Sequence, residues 1–343
     1  MTLSMRSRWL VAGAACVAAA SLWVGIGEAA TQPAGPPVPG RTIAQLFATV
    51  APVDPGPLGT GLEGAAFDAK GNFYFVDTEA PAGRPKLMSL DLNTRRVADL
   101  YTDSTSMLNC VGFAPNGTMY LCDLKGRVVS FDPSAGTLTD VVTKVVDAAD
   151  PSDTSLVPDD LAVAPNGDVY IADYQGTPGA PPGRIVVFSG GVARSALSGL
   201  AHPNGITFTP DYGALWVDED LPNTLDHVAR QFPNPAEQST VTPIAHTASY
   251  LSLGGSAYTD SLTTDGAGNV YLAVYGTGEV LEFDPNGVQI GRVSFPPSAP
   301  NVTHVAIEPG TRHAFVTASG PGGGYIYTFT ALAPAPANTP NGG

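Results

Sequence analysis

The stretch VPDDLAVAPNGDVYIAD, Val157 to Asp173, sets two adjacent carboxylates, Asp159 and Asp160, before a run with the composition of a buried β-strand. Two short apolar runs flank a glycine-containing PNGD turn, which reads as a tight hairpin. The pattern returns as LEGAAFDAKGNFYFVD from Leu62, LNCVGFAPNGTMYLCD from Leu108, PNGITFTPDYGALWVDE from Pro203, TDSLTTDGAGNVYLAV from Thr259 and NVTHVAIEPGTRHAFVTA from Asn301. Six copies at spacings of roughly 42 to 55 residues, with strand signals between them such as GRIVVFS from Gly183, describe a repeat architecture. Two strands of motif and two of connector make a four-stranded blade, and six such blades close an all-β propeller around a central channel. A β-sandwich is the competing architecture, but it gives no reason for six aligned turns.

Composition agrees with this reading. The 343 residues include 39 Gly and 32 Pro, and 43% of the chain is apolar, which suits many short strands joined by turns in one large domain. Lys and Arg total 16 against 31 Asp and Glu. A surface that acidic repels phosphate backbones and anionic lipid, so neither nucleic acid nor a membrane surface is expected as a partner. A monomer is expected.

The N-terminus reads as a targeting segment. Arg6 and Arg8 precede an Ala-rich apolar run from Trp9 to about Ile26, and small residues follow at the positions a signal peptidase reads, so residues 1–29 are expected to be a signal peptide. The chain is then secreted or periplasmic. A run of this length also approaches that of a membrane span, which leaves an uncleaved anchor as the alternative. Residues 30–43 read as a Pro-rich spacer, 44–332 as the propeller and 333–343 as a disordered tail.

Aligning the copies on the last apolar residue of the first strand (Phe67, Phe113, Val163, Phe208, Thr264, Ile307) puts Glu63, Asn109, Asp159, Asn204, Asp260 and Thr303 in register, four residues earlier. The first strand of a propeller blade is innermost, so these positions are expected to ring one end of the channel. Every one bears a side-chain oxygen. Converging carboxylates repel strongly unless a cation neutralises them, and hard oxygen donors without clustered Cys or His favour Ca²⁺, or another hard dication, over zinc. Asp and Asn also start strands and cap turns, but a turn role does not require register across every blade. Asp159 is therefore read as a metal ligand, and Asp160 as pointing away or supporting it from behind.

These motifs resemble the family of senescence marker protein (regucalcin) and gluconolactonase propellers, most closely its drug-responsive lactonases, with diisopropyl fluorophosphatase as a more distant likeness. The likeness runs from about Leu62 to about Leu332 through LEGAAFDAKGNFYF, VPDDLAVAPNGDVYIADYQG, HPNGITFTPDYGALWVDED and NVYLAVYGTGEVLEFDPNGVQIGRVSFP. It implies a catalytic divalent cation, usually calcium, held by Glu63, Asp159, Asn204 and Asp260, four of the six ring positions. It also implies a hydrolase acting on a small lactone or ester, with Asp260 as the base and Asp159 as its competitor for that role. The alternatives are a non-catalytic binding propeller with a structural metal, and an organophosphate hydrolase or strictosidine-synthase-like enzyme. The chain departs from the family at Ser261, where a glycine is usual, and Asn109 has no fixed ligand role there.

Other motifs are weak. GTGLEG, Gly59 to Gly64, matches a dinucleotide fingerprint literally but precedes a strand, and there is no GxSxG or HExxH. Asn109, Asp160, Tyr174, Tyr275 and His304 are the expected substrate-lining residues, although packing is the commoner role for the two tyrosines. The loops Gly176–Gly183 and His246–Ala257 are expected to form variable walls. Cys110 and Cys122 are equidistant from Asn116, so they are expected to face each other across a hairpin and, in an oxidising compartment, to form a disulfide.

Overall fold

A computed structural model describes residues 40–54, 59–146, 150–176, 183–220, 224–231, 240–245 and 257–337. The expected signal peptide lies outside the described residues, as do most of the two loops named above. Among the described residues every regular element is a strand.

Each motif copy folds as the sequence pattern requires. Leu62–Phe67, Leu108–Phe113, Pro158–Val163, Pro203–Phe208, Tyr258–Thr264 and Asn301–Ile307 are the first strands, each paired antiparallel with the second strand of its own copy. The turns between them use glycine where the backbone must enter the left-handed region, as at Gly117 (φ 86°) and Gly167 (φ 90°). Four copies build separate four-stranded sheets, and each first strand packs on the first strand of the next copy until Asn301–Ile307 meets Leu62–Phe67. The six first strands therefore close a ring, and the fold is all-β and propeller-like.

Where six separate sheets were expected, the fifth and sixth copies share one nine-stranded sheet. A single residue pair, Tyr275 with Asn301, joins them. The N-terminal strands complete this sheet. Gln45–Ala51 pairs antiparallel with Gly323–Thr330, and Gly40–Ile43 pairs parallel with Gln289–Ser294.

Two boundaries move as a result. Residues 40–43 belong to the sheet and not to a spacer, because an outer strand edge offers them hydrogen-bonding partners. Residues 333–337 are docked and not a free tail. Ala333 N–H donates to Asp265 Oδ2 at 3.0 Å, Gly266 N–H donates to the Pro334 carbonyl at 2.8 Å, and Ala335 bridges to Pro309.

The core is a set of seams between neighbouring sheets. Phe67, Phe73 and Phe75 pack with Phe315 and Ile326 across the first–sixth seam, and Leu161, Val163 and Ile171 pack with Val128 and Val142 across the third–second. Trp216, almost fully buried, fills the fourth–fifth seam with Leu262 and Phe283. Burial of both sheet faces explains why second strands such as VYIAD and VYLAVY carry nearly continuous apolar runs.

The acidic residue closing several second strands has a structural role. Asp77, Asp123 and Asp173 accept hydrogen bonds from the backbone N–H of Gly61, Met107 and Val157, each two residues before a ring position. Arg127 and Arg184 neutralise Asp123 and Asp173. Asp77 instead lies against Asp54, and burial together with that neighbour pushes its carboxyl up to about 7. An acid whose folded pKa is raised favours folding most below its unfolded pKa, and that contribution is lost as pH rises through the folded value. Wild-type melting temperature should therefore fall between about pH 4 and pH 7 from this group, and Asp77→Asn should flatten that decline. Parallel melting curves for the two proteins across this range would contradict the assignment.

Cys110 and Cys122 are directly opposed in the second copy and form a disulfide with their Cα atoms 4.9 Å apart. Closing a loop of this size is worth about 2–4 kcal/mol. The Cys110→Ala/Cys122→Ala protein should show that loss in chemical denaturation. Free alkylation of both thiols in the denatured, non-reduced wild type would contradict the bond.

Candidate functional site

Strand pairing breaks register in every copy beside the ring position. The breaks lie between Glu63 and Ala66, Leu108 and Cys110, Pro158 and Leu161, Pro203 and Ile206, Thr259 and Leu262, and Val302 and His304. A bulge re-aims the side chains at the break, which is how a strand otherwise committed to the core presents a polar group to the channel. The first strands must also approach one another closely here. A Cβ added to Gly64 (φ 53°) would stand 2.6 Å from Cys110 Cα and 2.7 Å from the Asn109 carbonyl oxygen, and one on Gly205 would stand 2.7 Å from Ser261 Cα. Gly64→Ala combines a left-handed backbone with a backbone clash and should cost at least about 2 kcal/mol. An unchanged melting temperature would refute the close approach.

The bulged ring opens into a cavity of about 400 Å³. Its walls include Glu63, Asn109, Asp159, Asn204 and Asp260 together with Tyr174, Tyr258 and Tyr275. Five of the six ring positions thus converge. The sixth, Thr303, is used as a brace, its hydroxyl donating to the Leu62 carbonyl at 2.6 Å. Asn109 is fixed on both sides: its amide donates to the Asp159 carbonyl at 3.2 Å, and its oxygen accepts from Thr78 at 3.0 Å.

Electrostatics at the floor are unfavourable as they stand. Burial raises Glu63, Asp159 and Asp260 well above the usual carboxylate range; Asp260 raises Glu63 and Asp159 further, and Asp220 and Asp160 raise Asp260. Glu63 Oε2, Asp159 Oδ2 and Asn204 Oδ1 are buried without a hydrogen-bond partner. Orphaned acceptors of this kind normally cost about 1–3 kcal/mol each. Among the described residues no three His, Cys, Asp or Glu side chains are already drawn together around a single point. The fit to a cation rests on the donor set: three carboxylates and one amide carbonyl, all oxygen, line one cavity, and three of those oxygens lack a partner.

Asp160 does not line the cavity. It is buried behind the ring, where its Oδ1 accepts from Leu161 N–H at 2.8 Å and its Oδ2 from Ile206 N–H at 3.3 Å. Ser261 also hydrogen-bonds to it, so the residue that stands where the family has glycine ties the fifth copy to the third. Burial still pushes Asp160 up to about 7. His304 is likewise buried outside the cavity wall, with both ring nitrogens unpartnered, and burial lowers it to about 4. It is a neutral imidazole at neutral pH.

Tyr174 and Tyr275 do reach the cavity wall. Tyr275 stacks on Tyr258, with ring centroids 4.7 Å apart and planes inclined by 11°. Sequence reasoning passed over Tyr258, although its place two residues before Asp260 on a strand was a usable signal. Asp218 and Asp220 were also missed. Asp218 is buried on the second strand of the fourth copy and accepts from Gly205 N–H at 2.7 Å, which braces the backbone next to Asn204. Asp220 binds the Tyr174 hydroxyl and lies 3.2 Å from His202 Nδ1.

A closed ring of bulged inner strands around an acidic, tyrosine-walled pit is the inner layer and channel mouth of a β-propeller. The chain belongs to the SMP-30/Gluconolactonase/LRE-like region family, whose model matches residues 60–320. Lactonase drp35 of Staphylococcus haemolyticus is 24% identical over 291 residues, covering 80% of this chain and 85% of the relative. Among solved structures, a gluconolactonase from Xanthomonas campestris superposes with a TM-score of 0.63 at 19% identity, covering 87% of this chain and 98% of that one. Regucalcin from Agrobacterium tumefaciens, described as a calcium-binding protein, gives 0.60 at 16% identity over the same shares. At these identities the superpositions establish the fold alone.

Proposed function

We propose that the chain is an exported, calcium-dependent lactonase built on a six-bladed propeller. The six-blade count follows from dividing the nine-stranded sheet at its one linking pair, so that the fifth and sixth copies each own a blade and Gln45–Ala51 closes the ring. Family membership supports lactone hydrolysis, and the relatives named a lactonase and a gluconolactonase point the same way. Export is inferred from the leader in residues 1–29, and a small-molecule lactone or ester is the expected partner of a cavity this size.

The observation that carries the reading is the convergence of Glu63, Asp159, Asn204 and Asp260 in one cavity with three orphaned buried oxygens among them. These four would hold the cation. When bound, Ca²⁺ supplies positive charge that polarises a lactone carbonyl and offsets charge developing on its oxygen. The residues do the rest. Asp260 Oδ1 accepts from Ser261 N–H at 3.0 Å, and the Asn204 amide hydrogen-bonds to the same carboxyl, so Asp260 is held in place to take a proton from the attacking water. Asn109 is pinned by Thr78 and the Asp159 carbonyl and forms a polar wall for the ring. The tyrosines exclude bulk water from the mouth.

A hydrolysis screen of aldonolactones, aliphatic lactones and aryl esters, run with calcium and with chelator, tests this. Calcium-dependent opening of at least one lactone is expected. Calcium binding with no hydrolysis of any lactone would favour a non-catalytic propeller, and hydrolysis indifferent to chelation would remove the cation from the account.

A further inference from the structure

Tyr174 has an unusual set of contacts for a residue on a cavity wall. Its hydroxyl donates to Asp220 Oδ2, and the other oxygen of that carboxylate lies 3.2 Å from His202 Nδ1. The His202 ring lies against the Tyr174 ring, with centroids 4.4 Å apart and planes inclined by 31°. His202 itself adopts a left-handed backbone (φ 53°), a conformation that a non-glycine residue keeps only when its surroundings hold it there. Its carbonyl accepts from Asp220 N–H at 3.1 Å, which closes the unit from the backbone side. The phenol is thus gripped at its hydrogen and along one ring face.

A phenol has one hydrogen to give and lone pairs to offer. With its hydrogen spent on Asp220, Tyr174 can meet a cavity ligand only as an acceptor. Burial and the neighbouring Asp220 and Asp159 charges push its pKa up, so the hydrogen stays on the phenol. Elsewhere on the wall Asn109 spends an amide hydrogen on the Asp159 carbonyl, while Tyr258 and Tyr275 carry hydroxyls that can donate as well as accept, so the acceptor-only role belongs to Tyr174.

We propose that Tyr174, locked by Asp220 and His202, is a specificity-determining residue that accepts a hydrogen bond from a substrate hydroxyl or N–H beside the reacting ester. The substrate class is then a lactone carrying a hydrogen-bond donor on or next to its ring, as opposed to a plain aliphatic lactone. In treating the ligand as a lactone the inference rests on the proposed function. The role of Tyr174 rests on the contacts above.

Lactams keep the ring and carbonyl of a lactone but resist hydrolysis, so they separate recognition from turnover. Binding of N-methyl-δ-valerolactam, which has no N–H of its own, and of its monohydroxylated derivatives, each ring methylene substituted in turn, would be measured by calorimetry on the calcium-loaded full chain, with hydrolysis of the matching lactones followed in parallel. Wild type should prefer at least one hydroxylated lactam by about tenfold, the scale of one hydrogen bond. Tyr174→Phe removes only the hydroxyl and should bring that preference to near unity. Asp220→Ala releases the phenol hydrogen, so it should shift preference towards the corresponding methoxy lactam, which can only accept. A general loss of structure would weaken all the lactams together and leave their ratios unchanged. No hydroxyl preference in wild type, or a preference that survives Tyr174→Phe, would overturn the inference. Intact hydroxyl preference without hydrolysis of any lactone would count against the proposed function and leave the role of Tyr174 standing.

Discussion

Asp260→Asn is expected to lower lactone hydrolysis at saturating calcium by at least roughly 10²-fold while leaving the fold intact, as loss of a positioned base does. The side chain is buried at the cavity floor, and its near-isosteric amide keeps an oxygen to accept from Ser261 N–H, so the strand should not move. What is lost is the capacity to take a proton. A carboxylate beside a cation is ordinarily a weak base, because the positive charge lowers its pKa. Here burial and the facing Asp220 and Asp160 carboxyls act in the opposite direction and raise it. The same change removes charge from the cation site, so calcium occupancy has to be measured beside the rate. Near-normal turnover by fully loaded Asp260→Asn would transfer the base to Asp159, which shares the cavity and is also raised by burial and by Asp260.

Removing the cation should cost stability as well as activity. Glu63, Asp159 and Asp260 would then lie buried in one cavity, with Asp260 raising both Glu63 and Asp159 and Asp159 raising Glu63. A ligand present at about 100 times its Kd stabilises the folded state by roughly 2.7 kcal/mol, so chelation should lower the melting temperature by about 5 °C or more at pH 7.5. The raised carboxyls also set the sign of the pH effect. Without a cation they favour folding most at low pH, where they are protonated, and that contribution fades as pH rises through their raised folded values. The gap between calcium-loaded and chelated melting curves should therefore widen from pH 5 to pH 8. A constant gap, or none after verified removal, would mean that these carboxyls do not share an ion.

The architecture was legible because a propeller repeats its signal. One hairpin such as LNCVGFAPNGTMYLCD is ambiguous, but six in register fix the inner strands and bring five of the six ring side chains to one cavity. The merging of the last two sheets was not legible. It depends on one backbone pair, Tyr275 with Asn301, which leaves no mark in side-chain periodicity. Docking of residues 333–337 was hidden for a related reason: a Pro- and Ala-rich segment reads as free chain, yet its backbone groups are satisfied by Asp265 and Gly266. His304 shows the limit of register arguments. It follows Thr303 by one residue at a break in strand register, and it is buried off the cavity wall instead of lining the channel. Asp218 and Asp220 escaped notice because they end a second strand, where the repeat elsewhere uses acids to close hairpins, and only the fold brings them behind Asn204 and Tyr174.

The central claim is that Glu63, Asp159, Asn204 and Asp260 hold one divalent cation at the channel mouth. Anomalous diffraction from crystals of the protein, soaked in calcium and separately in manganese, tests it most directly. The account predicts a strong peak within about 2.3–2.6 Å of oxygens from all four side chains for calcium, and its loss in Glu63→Gln/Asp260→Asn crystals grown alike. A calcium-soaked crystal with no peak among these four residues, diffracting well and active in solution, would contradict it.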